Sequence, residues 1–480
     1  MDRRQEDQKT DHPEKSLLVA PQMIRSFWKQ TAAVGILVLT SALLISGCAP
    51  QISHYAQIDQ FMLQGNYTDA QKVMNQNKDA YTNRNAALYH MEQGLLAHYA
   101  GRYEESNQHL ARAEIILEQL YTRSISKQAA SFIINDNTVP YRGEDFEDAM
   151  LNLFMALNYV GLRQWEDALV EARKVDSKLS LINRRYEDDQ KNVYKEDAFI
   201  RFLMGVLYEA EGEINDAFIS YRKAAEIFRS DYEPNYDVSA PDFLIQKMYA
   251  AARALDFRQE MEHIELAYPS IIDGLNADLD EMAELYCIHY NGKGPQKVEE
   301  NWVAGMPDGY VLKVAYPKFE HRYYGITAGQ IRLEDQTNGS RFTGRTELLE
   351  DVGAIARMNL RNRLGRIKAK AIARATSKYL ATKASANYVQ KQSDEYGAAA
   401  ALLVQIAGNI ASAVTEQADT RHWRLLPAQI RLGRVILPPG TYAGQIDFID
   451  KNGNTLISRD IRTFKIEAGQ KHFIAYRTLN

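Results

Sequence analysis

The stretch Met204–Phe228, "MGVLYEAEGEINDAFISYRKAAEIF", decides the fold. It places Gly205, then Tyr208, then Gly212, and after them Ala217, Tyr221 and Ala224. Small residues at these points let two antiparallel helices approach closely, with Gly212 at the turn. The large residues fill the gap to the next helix pair. The spacing recurs along the chain. "GLLAHYAGRYEESNQHLARAE" carries Gly94, Gly101, Tyr103, Leu110 and Ala113. "ALNYVGLRQWEDALVEA" carries Ala156, Tyr159, Trp165, Ala168 and Ala172, and "FMLQGNYTDAQKVM" carries Gly65, Tyr67, Ala70 and Met74. A fifth unit, "MYAAARALDFRQEMEHI", fits loosely through Phe257. Each match predicts a helical hairpin, and their recurrence predicts stacking.

The spacing resembles that of the tetratricopeptide repeat (TPR). The expected class is therefore α+β. An α-solenoid of TPR hairpins covers residues 48–275, and a β-sandwich-like domain covers 280–480 with a helical hairpin inserted at about 346–418. A TPR solenoid offers an extended concave surface, which implies a protein or peptide partner in the groove. The second and third units are separated by an insertion, 124–147, whose Asn-Asp-Asn, Pro140 and Gly143 mark a loop. Asp145 is placed to cap the following helix. Insertions of this kind gather on one side of a solenoid, often the binding side. Tyr141, Arg142 and Asp145 are accordingly candidate binding residues, with a plain connector as the alternative.

After about Asp280 the periodicity changes. "AELYCIHYNGKGPQK", "GYVLKVAYPKF" and "GQIRLED" read as strands. Four more short strands are expected towards the carboxy terminus, with turns at Pro439-Gly440, Asn452-Gly453 and Gly469. Leu437 to Gly453 resembles the Pro-Gly-x-Tyr hairpins of small transthyretin-like β-sandwiches. Between the two sets of strands, Val352 to Ser393 holds ten Lys or Arg and no acid. Arg366, Lys370, Arg374 and Lys378 share one stripe, and Leu360, Leu364, Ile367 and Ala371 form an apolar face. If the stripe is exposed and unpaired, it suits anionic lipid, lipopolysaccharide phosphates or an acidic partner. The alternative is a solvated face answered by Asp278, Asp280, Glu281 and Glu284. Residues 397–415 are uncharged and rich in Ala and Gly. Their length could span a bilayer, but Gln405, Asn409 and the alanine content favour a helix buried against the basic one or against the sheet.

Cysteine is scarce, and one of the two stands in "LLISGCAPQ" at Cys48. A basic start at Arg25 and Lys29, an uncharged run from Thr31 to Ile45 and small residues before Cys48 make a secretory signal. Ile45-Ser46-Gly47-Cys48 resembles a bacterial lipobox, in which the cysteine is acylated and becomes the first mature residue. An uncleaved anchor is the alternative. The resemblance, with Ala49 next, implies a lipid-anchored protein on the periplasmic face of the outer membrane. Residues 23–47 are then the signal, and 1–22 an upstream extension. Export excludes nucleic acid as a partner. It also leaves Cys287 as the sole thiol, without a disulfide and expected to be buried.

The remaining composition is ordinary for a globular chain: 480 residues, 45% hydrophobic, 25% charged, net charge −5. No zinc-helix, Cys-x-x-Cys, phosphate-loop or Gly-x-Ser-x-Gly motif occurs, and no cofactor is expected. Ser124-x-x-Lys127 and Ser220-x-x-Lys223 match the serine–lysine pattern of penicillin-binding enzymes without its companion motifs. His289 and His422 are read as core or surface residues rather than a metal pair. The stretches "NDNTVPYRGEDFEDA", "HYNGKGPQK", "AYPKF", "TELLEDVGAIA" and "ADTRHWRLLP", with the lipobox, resemble a family of uncharacterised TPR lipoproteins of Gram-negative envelopes. That resemblance implies a cell-wall context and carries over no activity; the TPR surface implies a non-catalytic interaction scaffold. A peptidoglycan-related enzyme with its site in the carboxy-terminal domain is the alternative.

Overall fold

The computed structural model describes residues 53–81, 83–123, 136–184, 192–272, 282–392 and 397–480. Cys48 and the signal segment, residues 124–135 with Ser124 and Lys127, and Asp278, Asp280 and Glu281 lie outside the described residues.

Among the described residues the amino-terminal half holds five helical hairpins: α1 (Ser53–Leu63) with α2 (Tyr67–Gln76), α3 (Ala86–Tyr99) with α4 (Tyr103–Arg123), α5 (Asp145–Gly161) with α6 (Trp165–Arg184), α7 (Ala198–Ala210) with α8 (Ile214–Ile227), and α9 (Asp242–Ala254) with α10 (Arg258–Ala267). All five turn on one residue of positive φ: Gly65 at 71°, Gly101 at 72°, Arg163 at 59°, Gly212 at 81° and Asp256 at 53°. Three repeats use glycine, which adopts this geometry without a steric penalty, and two place a side chain there. The shared turn is what makes the units alike. Within hairpins the helices meet on small residues. A methyl group on Gly205 would run into the Tyr221 ring, and one on Gly94 into Leu110.

Ala217 and Ala224 are fully buried, as the spacing predicts. Ala217→Trp should therefore destabilise by overpacking, by about 1–3 kcal/mol. A urea midpoint equal to that of the wild type would show that Ala217 is not at a helix crossing. The cap of α5 departs from expectation. Glu144, with φ −84° and ψ 155°, is the capping residue, and Glu147 Oε2 accepts its N–H at 2.9 Å. Asp145 is instead the first helical residue, where its charge faces the positive end of the helix dipole.

The carboxy-terminal half has nine strands: β1 (Ala283–Asn291), β2 (Gln296–Gly305), β3 (Val311–Glu320), β4 (Ala328–Asp335), β5 (Arg341–Glu350), β6 (Gln429–Leu437), β7 (Gly440–Ile449), β8 (Thr455–Ile466) and β9 (Lys471–Arg477). Seven form one sheet in the order β8-β7-β4-β5-β6-β1-β9, and β2–β3 stands apart as a hairpin. Only the β1–β9 pair is parallel among the described ladders. The seven-stranded sheet is barrel-like, and its strand order does not establish the β-sandwich-like arrangement expected. The register breaks between Leu348 and Glu350 where β5 passes to β6. The two edge strands, β8 and β9, are consecutive in sequence and meet: Phe464 stacks on His472 and the Tyr476 hydroxyl donates to Asp460 O at 2.9 Å. Inside lie Leu285, Cys287, Ile331, Leu333, Ile446 and Phe448. The Tyr442 hydroxyl donates to Pro438 O at 2.7 Å, closing the Pro-Gly-x-Tyr turn.

Two long helices interrupt the sheet, α11 (Val352–Gln392) and α12 (Gly397–Thr415). The insertion starts at Val352 rather than Thr346, because Thr346 to Glu350 continue β5 along β6. The first turns of α11 enter the main core through Val352, Ile355, Ala356 and Leu360. Its second half projects with α12 and is backed by β3, where Val314 packs on Ala371 and Ala375. The expectation that 397–415 is a buried helix is not met: within it only Gly397 and Ala401 are buried.

Candidate functional site

The first helices of the hairpins are covered by β1, β9 and the segment 416–428 that leads from α12 to β6: His98 meets Tyr290, Phe154 meets Trp423, Phe202 meets Tyr286 and Lys247 meets Glu284, so this face of the repeat is occupied by the chain itself. The segment is held largely by its backbone. Glu92 on α3 accepts the N–H of Arg424 at 3.0 Å and of Leu425 at 3.2 Å, and the Tyr55 hydroxyl at 2.9 Å. Glu147 on α5 accepts the N–H of Trp423 at 2.7 Å. The Tyr99 hydroxyl donates to Leu425 O at 3.1 Å. The Trp423 ring meets Phe154 edge-on at 5.9 Å, and the Arg424 guanidinium lies 4.6 Å from the Tyr55 ring centre. Burial pushes Glu92 up to about 8 and Glu147 up to about 7, against the donors that favour their ionised forms. β1 is tied in by His98, whose Nδ1–H donates to Asn158 Oδ1 at 2.6 Å and whose Nε2 accepts from the Tyr290 hydroxyl at 2.8 Å. Burial lowers this histidine to about 4, so it is neutral and can play both parts.

The described part of the insertion does reach this face, and it grips the same segment. Asn137 Nδ2 donates to Ala418 O at 3.1 Å, and Arg421 Nη1 donates to Val139 O at 3.0 Å and to Asn85 Oδ1 at 2.9 Å. Tyr141 is buried beneath Arg421, 5.4 Å from its ring centre, and its hydroxyl donates to Glu147. Asp145 accepts from Asn192 Nδ2 at 2.8 Å. Arg142 is exposed. Tyr141 thus packs on the chain's own segment 416–428, and Asp145 joins the start of α5 to the segment that leads into α7.

Arg366, Lys370, Arg374 and Lys378 do not form an exposed row. Arg374 is buried and makes a forked pair with Glu416, its Nη2 at 2.8 Å. Lys378 reaches the same carboxylate at 2.9 Å. Arg366 and Lys370 are half-buried. Arg374 and Lys378 turn inward because the hairpin brings Glu416, from just beyond α12, against the middle of α11. Of the acids expected to answer the stripe, Glu284 pairs with Lys247, Arg434 and Lys471 instead, and Asp278, Asp280 and Glu281 lie outside the described residues.

Glu284 belongs to a cavity of about 530 Å³ between the two halves, lined by Glu209, Lys247, Glu284, Arg434, Lys471 and apolar residues including Met282 and Ile436. Lys247 Nζ lies 2.9 Å from Glu284, and Lys471 Nζ lies 2.7 Å from Glu209. Arg434 also pairs with Glu284. Burial pushes the Glu284 carboxyl up, but Arg434, Lys247 and Lys471 outweigh it and hold it well below the usual range. Nothing in the sequence spacing pointed to this cluster, whose members come from five separate elements.

The two histidines stay apart. His289 Nε2 and Thr478 Oγ1 are 2.8 Å apart, and its ring packs on Phe448. His422 Nδ1 lies 3.0 Å from Thr420 O. Among the described residues no group of three or more His, Cys, Asp or Glu is placed to share a metal. Ser220 is buried within α8 and Lys223 pairs with Glu196 at 2.9 Å, so this serine–lysine pair is structural.

No protein-family model matches the chain, and no curated protein is similar to it in sequence. Solved structures similar to it include MamA, at 12% identity over 45% of this chain and 94% of that one, with a TM-score of 0.29. BtubC from P. vanneervenii is similar at 14% identity over 52% of this chain and 93% of its own, with a TM-score of 0.33. TPR-like repeats of a kinesin light chain from Podosopora anserina give 12% identity over 47% and 96%, with a TM-score of 0.31. By its own geometry, five stacked hairpins with one shared turn, the amino-terminal half is a TPR-like helical repeat.

Proposed function

We propose that this chain is a lipid-anchored, non-catalytic interaction scaffold of a Gram-negative envelope, held to the periplasmic face of the outer membrane through Cys48. The anchor rests on the lipobox resemblance at Ile45–Cys48; the scaffold part of the reading rests on one observation, that the first helices of the repeat hold the chain's own segment 416–428, with backbone N–H groups on Glu92 and Glu147. The repeat therefore serves as a rigid cradle for the β half, and partners meet the outside of the assembled body. An outer recess of about 630 Å³ between α8 and α10 suits a short protein segment. It is walled by Phe218, Ile219 and Phe257 and flanked by Arg222, Arg258, Asp256 and Glu260. Apolar anchors with charges of both signs at the rim are the make-up of a transient protein contact.

The enzyme reading is favoured by the charged cavity between the halves, which brings titratable groups together. Against it stands their pairing. Glu284 is locked in its ionised form by three cations, whereas a general acid or base at neutral pH needs a value near its working pH.

A clickable fatty acid should label the wild type and not Cys48→Ser. Benzoylphenylalanine at Ile219 should give discrete protein adducts in envelopes, and Phe257→Asp should remove them. A labelled Cys48→Ser protein would overturn the anchor. Adducts absent at 219, or indifferent to Phe257→Asp, would overturn the recess as the partner site. Cleavage of purified peptidoglycan by the chain would put the enzyme in place of the scaffold.

A further inference from the structure

The projecting hairpin is built inside out. Small residues mark its helix interface: Gly408 meets Thr382 and Gly397 meets the backbone of Gln390, while Ala371 and Ala375 of α11 are buried against Val314 of β3. The large apolar side chains of α12 point away from the protein. Leu402, Leu403, Ile406, Ile410 and Val414 are exposed, and within α12 only Gly397 and Ala401 are buried. A water-soluble helix turns such residues inward. Small residues between helices, with Leu and Ile facing out, is the arrangement of helices packed in lipid. The two polar amides of α12 are engaged with the β2–β3 turn rather than presented outward. Gln405 Nε2 donates to Asp308 O at 2.7 Å, and Asn409 Oδ1 accepts from Val311 N–H at 3.3 Å. The outer face thus holds no charge and no unmet hydrogen-bonding side chain among its large residues.

We infer that this face of α12 is a lipid-contact surface that lies in one leaflet of an anionic bilayer, its five large side chains in the acyl region. The occupant follows from charge. The adjoining α11 carries ten Lys or Arg and no acid; Glu416 answers Arg374 and Lys378 and Asp308 lies 3.7 Å from Lys383, and Lys391 is exposed near the hairpin tip. Phosphate headgroups complement such a helix. A second copy does not: placing two of these faces together would bring two acid-free basic helices side by side. Because α11 and β3 back the helix on its other sides, α12 lies along the interface rather than crossing it. This contact goes beyond the acyl anchor and does not depend on it.

The test uses the chain from residue 49 onward, which retains every described element and has no acylation site. Its native thiol, Cys287, is buried and does not compete for label. Ile406→Cys, labelled with the polarity-sensitive dye NBD, is mixed with vesicles of three parts phosphatidylglycerol to seven of phosphatidylcholine, a ratio taken as roughly that of an anionic membrane surface. The emission should shift to the blue and rise several-fold, and acyl-chain spin labels should quench it. The same dye at Leu266→Cys, on exposed α10, should not respond. Leu402→Asp with Ile406→Asp and Ile410→Asp should lower vesicle flotation at least tenfold while leaving the circular dichroism melt unchanged, since all three are surface residues. A dye at 406 that ignores vesicles, or a triple variant that floats as the wild type does, would overturn the inference. So would a blue shift that appears without lipid and grows with protein concentration, since a second copy would then cover the face.

Discussion

Glu284→Gln should destabilise the fold by about 3–5 kcal/mol, read as a drop in the urea midpoint without a change of slope. The substitution keeps the volume and removes the charge. In the wild type, Glu284 answers Lys247, Lys471 and Arg434, all nearly buried, and Glu209 shares the two lysines. Without it, three buried cations face one carboxylate, and desolvation is left without its compensation. Two further measurements separate this cause from simple loss of packing. Lys247→Met should destabilise the wild type but restore about 1–3 kcal/mol in the Glu284→Gln background, because there it removes a cation that has lost its partner. The pH dependence has a definite sign. A carboxyl held below its unfolded value of 4.5 contributes stability above that value and loses it as pH falls. The gap between wild type and Glu284→Gln should therefore be full near neutrality and narrow below pH 4.5. A gap that is constant with pH, or a Lys247→Met effect of the same sign in both backgrounds, would show that the cluster is not electrostatically coupled.

The helical half was legible because its signal is local. Each hairpin is specified within a short stretch by small residues at the crossing and one residue of positive φ at the turn, and Gly65, Gly101 and Gly212 announce that turn openly. Arg163 and Asp256 do not, which is why the fifth unit matched only through Phe257. Strands β1, β3 and β4 also show in the sequence, but β2 is largely exposed and breaks the apolar alternation with Glu299, Glu300 and Asn301. The basic stripe was correctly placed on one helix face. Its direction was not legible, since Glu416 meets Arg374 across a two-helix excursion. The direction of α12 was misread for a related reason. A helix apolar on every side reads as buried, and only the fold shows that its small residues face α11 while the large ones face out. The strap, segment 416–428, is the furthest from sequence rules. "ADTRHWRLLP" stands out as a stretch, but no periodicity tells that a loop will lie along the first helices of a solenoid some 300 residues upstream of it, as Glu92 and Arg424 do.

Trp423→Ala tests whether that strap holds the two halves together. Trp423 is 2% exposed, packs on Phe154 of α5 and sits in a core that also contains Phe202, Tyr286 and Tyr290. Removing a buried tryptophan costs about 3–5 kcal/mol through lost transfer energy and the cavity left behind. The change also loosens the run of backbone bonds from Trp423 to Leu425, so Glu92 and Glu147 would keep their burial and lose part of their donors. Trp302, on β2, is the internal control. It is 53% exposed, and Trp302→Ala should stay within about 0.5 kcal/mol of the wild type. The form of the transition is a second readout. One core runs through the first helices of the repeat and across β1, the strap and β6, so the wild type should unfold in a single step seen alike by far-ultraviolet circular dichroism and by fluorescence. With the tryptophan gone, the contact between the halves weakens most, and the two probes should separate as the β half and the repeat melt independently. A loss under about 1 kcal/mol with coincident transitions would mean that the strap is a connector lying in a groove that the rest of the interface already closes.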